Sequence, residues 1–80
     1  MSFDYKNLTG AHVRAARGLI DWRQDDLVEK SGVSKRSIQN IENNINITDR
    51  VRRDLYEAFE KAGLEFYNSD KPGVRFKGGD

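Results

Sequence analysis

Residues 31–40 read SGVSKRSIQN, and the reading of this stretch decides the fold. Gly32 belongs just past a helix end, where it can take a left-handed backbone conformation. Ser34 belongs at a helix start, where its side chain can cap a free backbone N–H. Yet Val33, Ile38 and Ile41 straddle the break at helix-like spacing. A helix that stops and restarts so quickly must leave at a steep angle. The restart carries Lys35, Arg36, Gln39 and Asn40.

Outward from the break, a helix over 24–30 precedes it, with Leu27 and Val28 facing inward. Arg23 stands where a capping Ser or Thr is expected, and Asp25 and Asp26 compensate through the helix dipole. Being adjacent, these two acids point in different directions and do not form an acid–base pair. A first helix over 10–21 starts at Thr9 as N-cap and lines up Val13, Ala16, Leu19 and Ile20. Trp22 reads as a core lid at its end, and the single His12 as an exposed helix residue.

The restarted helix spans 35–43. An Asn-rich loop over 43–47 follows, and Thr48 caps a fourth helix over 49–62. Val51, Leu55, Ala58, Phe59 and Ala62 form its apolar stripe, and Gly63 ends it. The tail then changes period. Leu64-Glu65-Phe66-Tyr67 and Val74-Arg75-Phe76-Lys77 alternate about the turn residues 68–73, which predicts a β-hairpin over 64–77. Gly78-Gly79-Asp80 is expected to fray. The expected fold is mainly α: one domain over residues 1–80, a four-helix bundle with a C-terminal hairpin.

Composition narrows the function. Eighty residues without cysteine exclude disulfides, thiol catalysis and cysteine-held metals. No apolar run reaches a membrane-span length, and the polar start MSFDYKNLTG is no secretory signal, so a cytoplasmic protein is expected. No phosphate loop, nucleophile–base pair or metal spacing occurs, so no enzyme, cofactor, metal or small-molecule ligand is expected. Net charge is only +1, but residues 33–53 hold a local surplus of three positive charges and residues 21–30 a deficit of two. A nearly neutral chain can therefore present one basic face.

Two short helices about a Gly-containing turn describe a helix-turn-helix. Leu27, Val33, Ile38 and Ile41 would hold the second helix of the pair, leaving Lys35, Arg36, Gln39 and Asn40 outward. These side-chain types match base edges in the major groove. As a bland alternative, they are only a solvated face.

The stretch from Val13 to Asn43, VRAARGLIDWRQDDL followed by SGVSKRSIQNIEN, resembles the lambda-repressor-like, Xre-type helix-turn-helix family. The resemblance lies in Gln opening helix two, Gly in the turn, Ser starting helix three and I-x-x-I-E-N closing it. It covers about residues 9–53. The tail GLEFYNSDKPGVRFK is similar to short prophage-type regulators that end in a hairpin.

The resemblance implies double-stranded DNA as partner and a homodimer on a palindromic operator, most simply as a repressor in a bacterial or phage setting. It implies base reading by Lys35, Arg36 and Gln39, supported by Asn40. Phosphates would be met by Gln24, Ser34, Asn43 and Arg50, with Arg23 free to reach another. Arg50 could equally be solvated, and Arg52 and Arg53 are expected to be solvated or paired with nearby acids. Arg17 and Glu42 match a structural ion pair. The family's small residue on helix two is Val28 here, its Gly after helix three is Asn44, and the hairpin replaces its fifth helix. Leu64, Phe66, Val74 and Phe76 would cover helix four, or give a dimer contact through the second strand. A second reading is an antitoxin-like module that grips a partner protein and binds DNA to regulate itself.

Overall fold

A computed structural model of the chain describes residues 3–68 and 72–78. Four helices and a two-stranded antiparallel hairpin follow in order, as the sequence predicts. They are α1 (Gly10–Ile20), α2 (Gln24–Ser31), α3 (Lys35–Glu42) and α4 (Asp49–Lys61), then β1 (Leu64–Asn68) and β2 (Pro72–Phe76). Residues 69–71 of the expected turn, and 79–80 of the expected frayed end, lie outside the described residues. No helix among the described residues is long and apolar enough to cross a membrane.

Each boundary has a local cause. The hydroxyls of Thr9, Ser34 and Thr48 accept from the backbone N–H three residues on, in α1, α3 and α4. Arg23 gives α2 no side-chain cap. Instead the Asp26 carboxylate accepts from the Arg23 N–H at 2.9 Å, in addition to its place near the helix dipole. Gly32 ends α2 at φ 74°. Ser31 secures the turn by donating to the Leu27 carbonyl at 2.6 Å and accepting from the Val33 N–H at 3.1 Å. Asn44, in the loop after α3, takes a left-handed conformation at φ 62°. Asp21 also takes a left-handed conformation, φ 60°, so α1 ends at Ile20 rather than at 21. Likewise α3 ends at Glu42 with Asn43 as its cap residue, and α4 at Lys61 with Ala62 as its cap residue.

The core joins all elements. Leu8, Val13, Ala16, Leu27, Val33, Ile38, Ile41, Leu55, Ala58, Phe59, Leu64 and Phe66 are buried, with Trp22, Val28 and Val74 packed against them. Trp22 stacks on Phe59, with centroids 5.8 Å apart, which is the lid position expected for it. The ladder pairs Leu64 with Phe76 and Phe66 with Val74, so all four share one face. Leu64 and Phe66 are buried, whereas Phe76 stays 55% exposed. On the other face Arg75 pairs with Glu65 at 2.6 Å and lies over the Tyr67 ring.

Three positions differ from expectation. Leu19, expected in the apolar stripe of the first helix, is 41% exposed; six residues past Val13, it stands about 120° round the helix from it, off the side that carries Val13 and Ile20. Leu8 was not expected in the core. A 3-10 turn at Tyr5–Asn7 brings it in, just ahead of the Thr9 cap, where an apolar residue staples against Val13 four positions into the helix.

The third is His12, which is 2% exposed rather than solvated. Its Nδ1 accepts from the Thr9 N–H at 2.9 Å, so Nδ1 is bare and Nε2 carries the proton. Nε2 has no hydrogen-bond partner among the described residues and sits among the rings of Phe3 and Phe66. Desolvation lowers the His12 pKa, and the nearby Tyr67 backbone offsets this only in part. A depressed folded-state pKa means that the unfolded chain takes up the proton first as pH falls. His12 therefore contributes stability that is present above about pH 6.5 and lost as pH falls below it. Urea midpoints measured from pH 7.5 to 5 should fall, and His12→Gln should flatten that part of the profile. An equal fall in His12→Gln would assign the acid sensitivity to other groups.

Candidate nucleic-acid interface

The candidate interface is built from the back of α3 outward. Ile38 is fully buried and Ile41 nearly so, which fixes one face of the helix to the core. The opposite side is then set by helical geometry: Lys35, Arg36 and Gln39, at i, i+1 and i+4, are all exposed. Asn40 is half-buried beside them.

Glu42 anchors the far end. It is 7% exposed and accepts from Arg17 through both oxygens, Nε to Oε2 at 2.7 Å and Nη2 to Oε1 at 2.9 Å. Gln24 adds its Nε2 to Oε1 at 3.1 Å. Arg17 also donates to the Trp22 carbonyl at 3.1 Å. This bidentate pair with a third donor ties α1, the start of α2 and the end of α3 together in one partly buried polar cluster. Arg14 reinforces the junction by donating to the Glu42 backbone carbonyl, one of the free carbonyls at the end of α3. Gly10 lets the two helices meet. A Cβ there would lie 2.2 Å from the Ile41 carbonyl oxygen and 3.0 Å from the Glu42 Cα.

The remaining expected contact residues are spread around this centre. Arg23 is exposed at the start of α2, while Gln24 next to it is turned to Glu42. Ser34 is exposed and engaged with Ser37, whose N–H it accepts at 3.2 Å. Asn43 is exposed at the end of α3. Arg50 is exposed near the start of α4, with no ion pair or side-chain hydrogen bond to any described residue, and no described contact joins it to α3. Arg36 also has no such partner among the described residues. Lys35 does: its ammonium is 3.1 Å from Asp25 Oδ1.

Arg52 and Arg53 differ from one another. Arg53 reaches Asp54 at 3.5 Å on the surface. Arg52 is a staple, donating to the carbonyls of Ile47 at 2.7 Å and Leu8 at 3.2 Å and pairing with Asp49 at 3.4 Å. It thereby ties the loop before α4 to the segment before α1.

Reading the sequence missed Arg14, the Lys35–Asp25 pair and the bridging role of Arg52. Only Arg52 carried a signal, since Asp49 stands three residues before it on one helix face. The other two join residues that only the crossing of the helices brings together. No model of a known protein family matches this chain, and no curated protein matches it.

Proposed function

We propose that this chain is a sequence-specific double-stranded DNA-binding transcriptional regulator, a repressor acting as a dimer on a palindromic operator. The observation that carries the reading is the division of α3. Its rear is fixed by Ile38, Ile41 and the Glu42 cluster, and its front presents Lys35, Arg36 and Gln39 without a covering element among the described residues. A short, rigidly held helix with an exposed amine, guanidinium and amide suits the major groove, where those groups find base acceptors and donors. Lys35, Arg36 and Gln39 are the base readers in this account, with Asn40 beside them. Arg23, Ser34, Asn43 and Arg50 meet phosphates around them, and Gln24 braces Glu42 while remaining near the DNA. The role is one of binding, without catalysis, metal or cofactor, in the cytoplasm of a bacterium or of a phage-infected cell.

The operator is found by selecting bound duplexes from a random pool. On that site Arg36→Ala and Gln39→Ala should each lose about 1–3 kcal/mol and relax preference at particular positions. Arg50→Ala should weaken all duplexes alike and reduce the salt slope by about one unit. Equal losses on selected and random duplexes would remove Arg36 and Gln39 from the reading set. Absence of any selected sequence would refute the proposal as a whole.

Two recognition helices must stand about 34 Å apart to enter successive major grooves, which calls for a second copy on the operator. Of the four apolar hairpin residues, only Phe76 is left exposed, so it is the one available for such a contact. That same residue favours the second reading, an antitoxin-like module, in which a partner protein covers Phe76. A stoichiometric protein partner found on purification from the native host would favour that account.

A further inference from the structure

We propose that Asp25 is a specificity-determining residue of the DNA face. Its carboxylate holds the Lys35 ammonium in position for a base edge and withholds it from phosphates. The inference rests on the DNA-binding reading and adds to it a residue that opposes binding to the wrong DNA.

The placement is particular. Asp25 lies in the first turn of α2 and Lys35 is the first residue of α3. Their charged atoms meet at 3.1 Å although the side chains are 76% and 52% exposed. Asp25 has no other side-chain partner among the described residues. It is also not needed to start its helix, because Asp26 makes the bond to the Arg23 N–H. An ion pair this exposed contributes little to stability. Its consequence lies on the surface where DNA would sit.

Two physical effects follow there. A lysine that neutralises a phosphate releases a counterion, and this release drives non-specific binding. A lysine already neutralised by a carboxylate releases less. Random duplex therefore gains little from Lys35. A base edge is a different case, because an ammonium has three donors. One can remain on Asp25 while the others reach an acceptor such as guanine O6 or N7. The pair thus tolerates base reading while resisting phosphate binding. Asp25 is a positioning residue acting through Lys35.

The test uses the full chain, the selected duplex and a random duplex, each over a salt series. Asp25→Asn should raise affinity for the random duplex about 3- to 10-fold and steepen its salt slope by about one unit. Affinity for the selected duplex should change less, so the ratio of the two falls. The thermal midpoint should stay within about 4 °C, as expected for loss of an exposed pair. In a Lys35→Ala background the effect of Asp25→Asn should shrink to less than about 2-fold, since the carboxylate acts through the missing amine. An unchanged ratio of the two affinities would overturn the proposal while leaving DNA binding intact. An undiminished effect in the Lys35→Ala background would also overturn it, assigning Asp25 to direct repulsion of phosphate. Failure of the unaltered chain to bind either duplex would refute the DNA-binding reading, and this proposal with it.

Discussion

Glu42→Ala should destabilise the fold by about 3 kcal/mol, more than any exposed substitution on the same helix. The loss has little to do with the attraction between Glu42 and Arg17. Removing the carboxylate leaves a guanidinium that is only 21% exposed facing a site it can no longer pair with. It also strands the Gln24 amide, whose acceptor is Glu42 Oε1. Buried donors without acceptors carry the full cost of their desolvation. Arg17→Met alone should cost a similar amount, because it strands the 7%-exposed carboxylate. The double variant Arg17→Met, Glu42→Leu removes both charges and offers apolar volume in return, so it should be more stable than either single variant. Urea unfolding of the unaltered chain, Arg17→Met, Glu42→Leu and the double variant gives the coupling energy directly. Additive losses would show that the two side chains do not act as a pair. On the proposed DNA-binding reading, binding should weaken in both single variants even where they remain folded, since Glu42 fixes the end of α3.

Why was so much of the bundle legible while its polar wiring was not? Helix starts are written locally. Thr9, Ser34 and Thr48 each cap within three residues, and Gly32 turns the chain by its own conformational freedom, so those boundaries need no knowledge of the fold. The hairpin was likewise legible from alternation, and its register puts Leu64, Phe66, Val74 and Phe76 on one face as the pattern requires. What periodicity cannot give is which of several apolar residues will find a partner. Phe76 fits its stripe and remains exposed, whereas Leu8 belonged to no stripe and is 1% exposed. His12 shows the same limit from the polar side. Residue type favours exposure, but its position three residues after Thr9 lets Nδ1 serve the cap and carries the ring inside. Among the candidate contacts, Arg17 with Glu42 followed from a resemblance. Asp25 with Lys35 depends on how α2 crosses α3, and no spacing along the chain encodes that.

Gly10→Ala should be damaging on the same scale, costing about 3 kcal/mol in a helix where alanine is ordinarily the better residue. Two effects compete. At the start of an α-helix, glycine to alanine gains up to about 1 kcal/mol from the unfolded chain's lost freedom and from intrinsic propensity. Against that stands the approach of α1 to α3. The added Cβ would sit 2.2 Å from the Ile41 carbonyl oxygen, with the Glu42 Cα at 3.0 Å. These are backbone atoms, so no side-chain rotation relieves the overlap. The two helices must separate by about an ångström to restore ordinary contact, and overpacking of this kind usually costs about 1–3 kcal/mol. Here the separation also pulls on the Arg17–Glu42 pair and on the Arg14 bond to the Glu42 carbonyl, both of which bridge the same two helices. The clash should therefore win, at the upper end of that range. Gly18 supplies the control within the same helix. It is exposed, and a Cβ there meets nothing within 4 Å, so Gly18→Ala should stabilise by up to about 1 kcal/mol. Chemical unfolding of the two variants should thus give shifts of opposite sign. Shifts of the same sign would mean that α1 and α3 are not in contact at Gly10. If they are in contact and the proposed DNA-binding reading holds, a folded Gly10→Ala chain should also bind the selected duplex more weakly, because the displaced helix is the one that carries Lys35, Arg36 and Gln39.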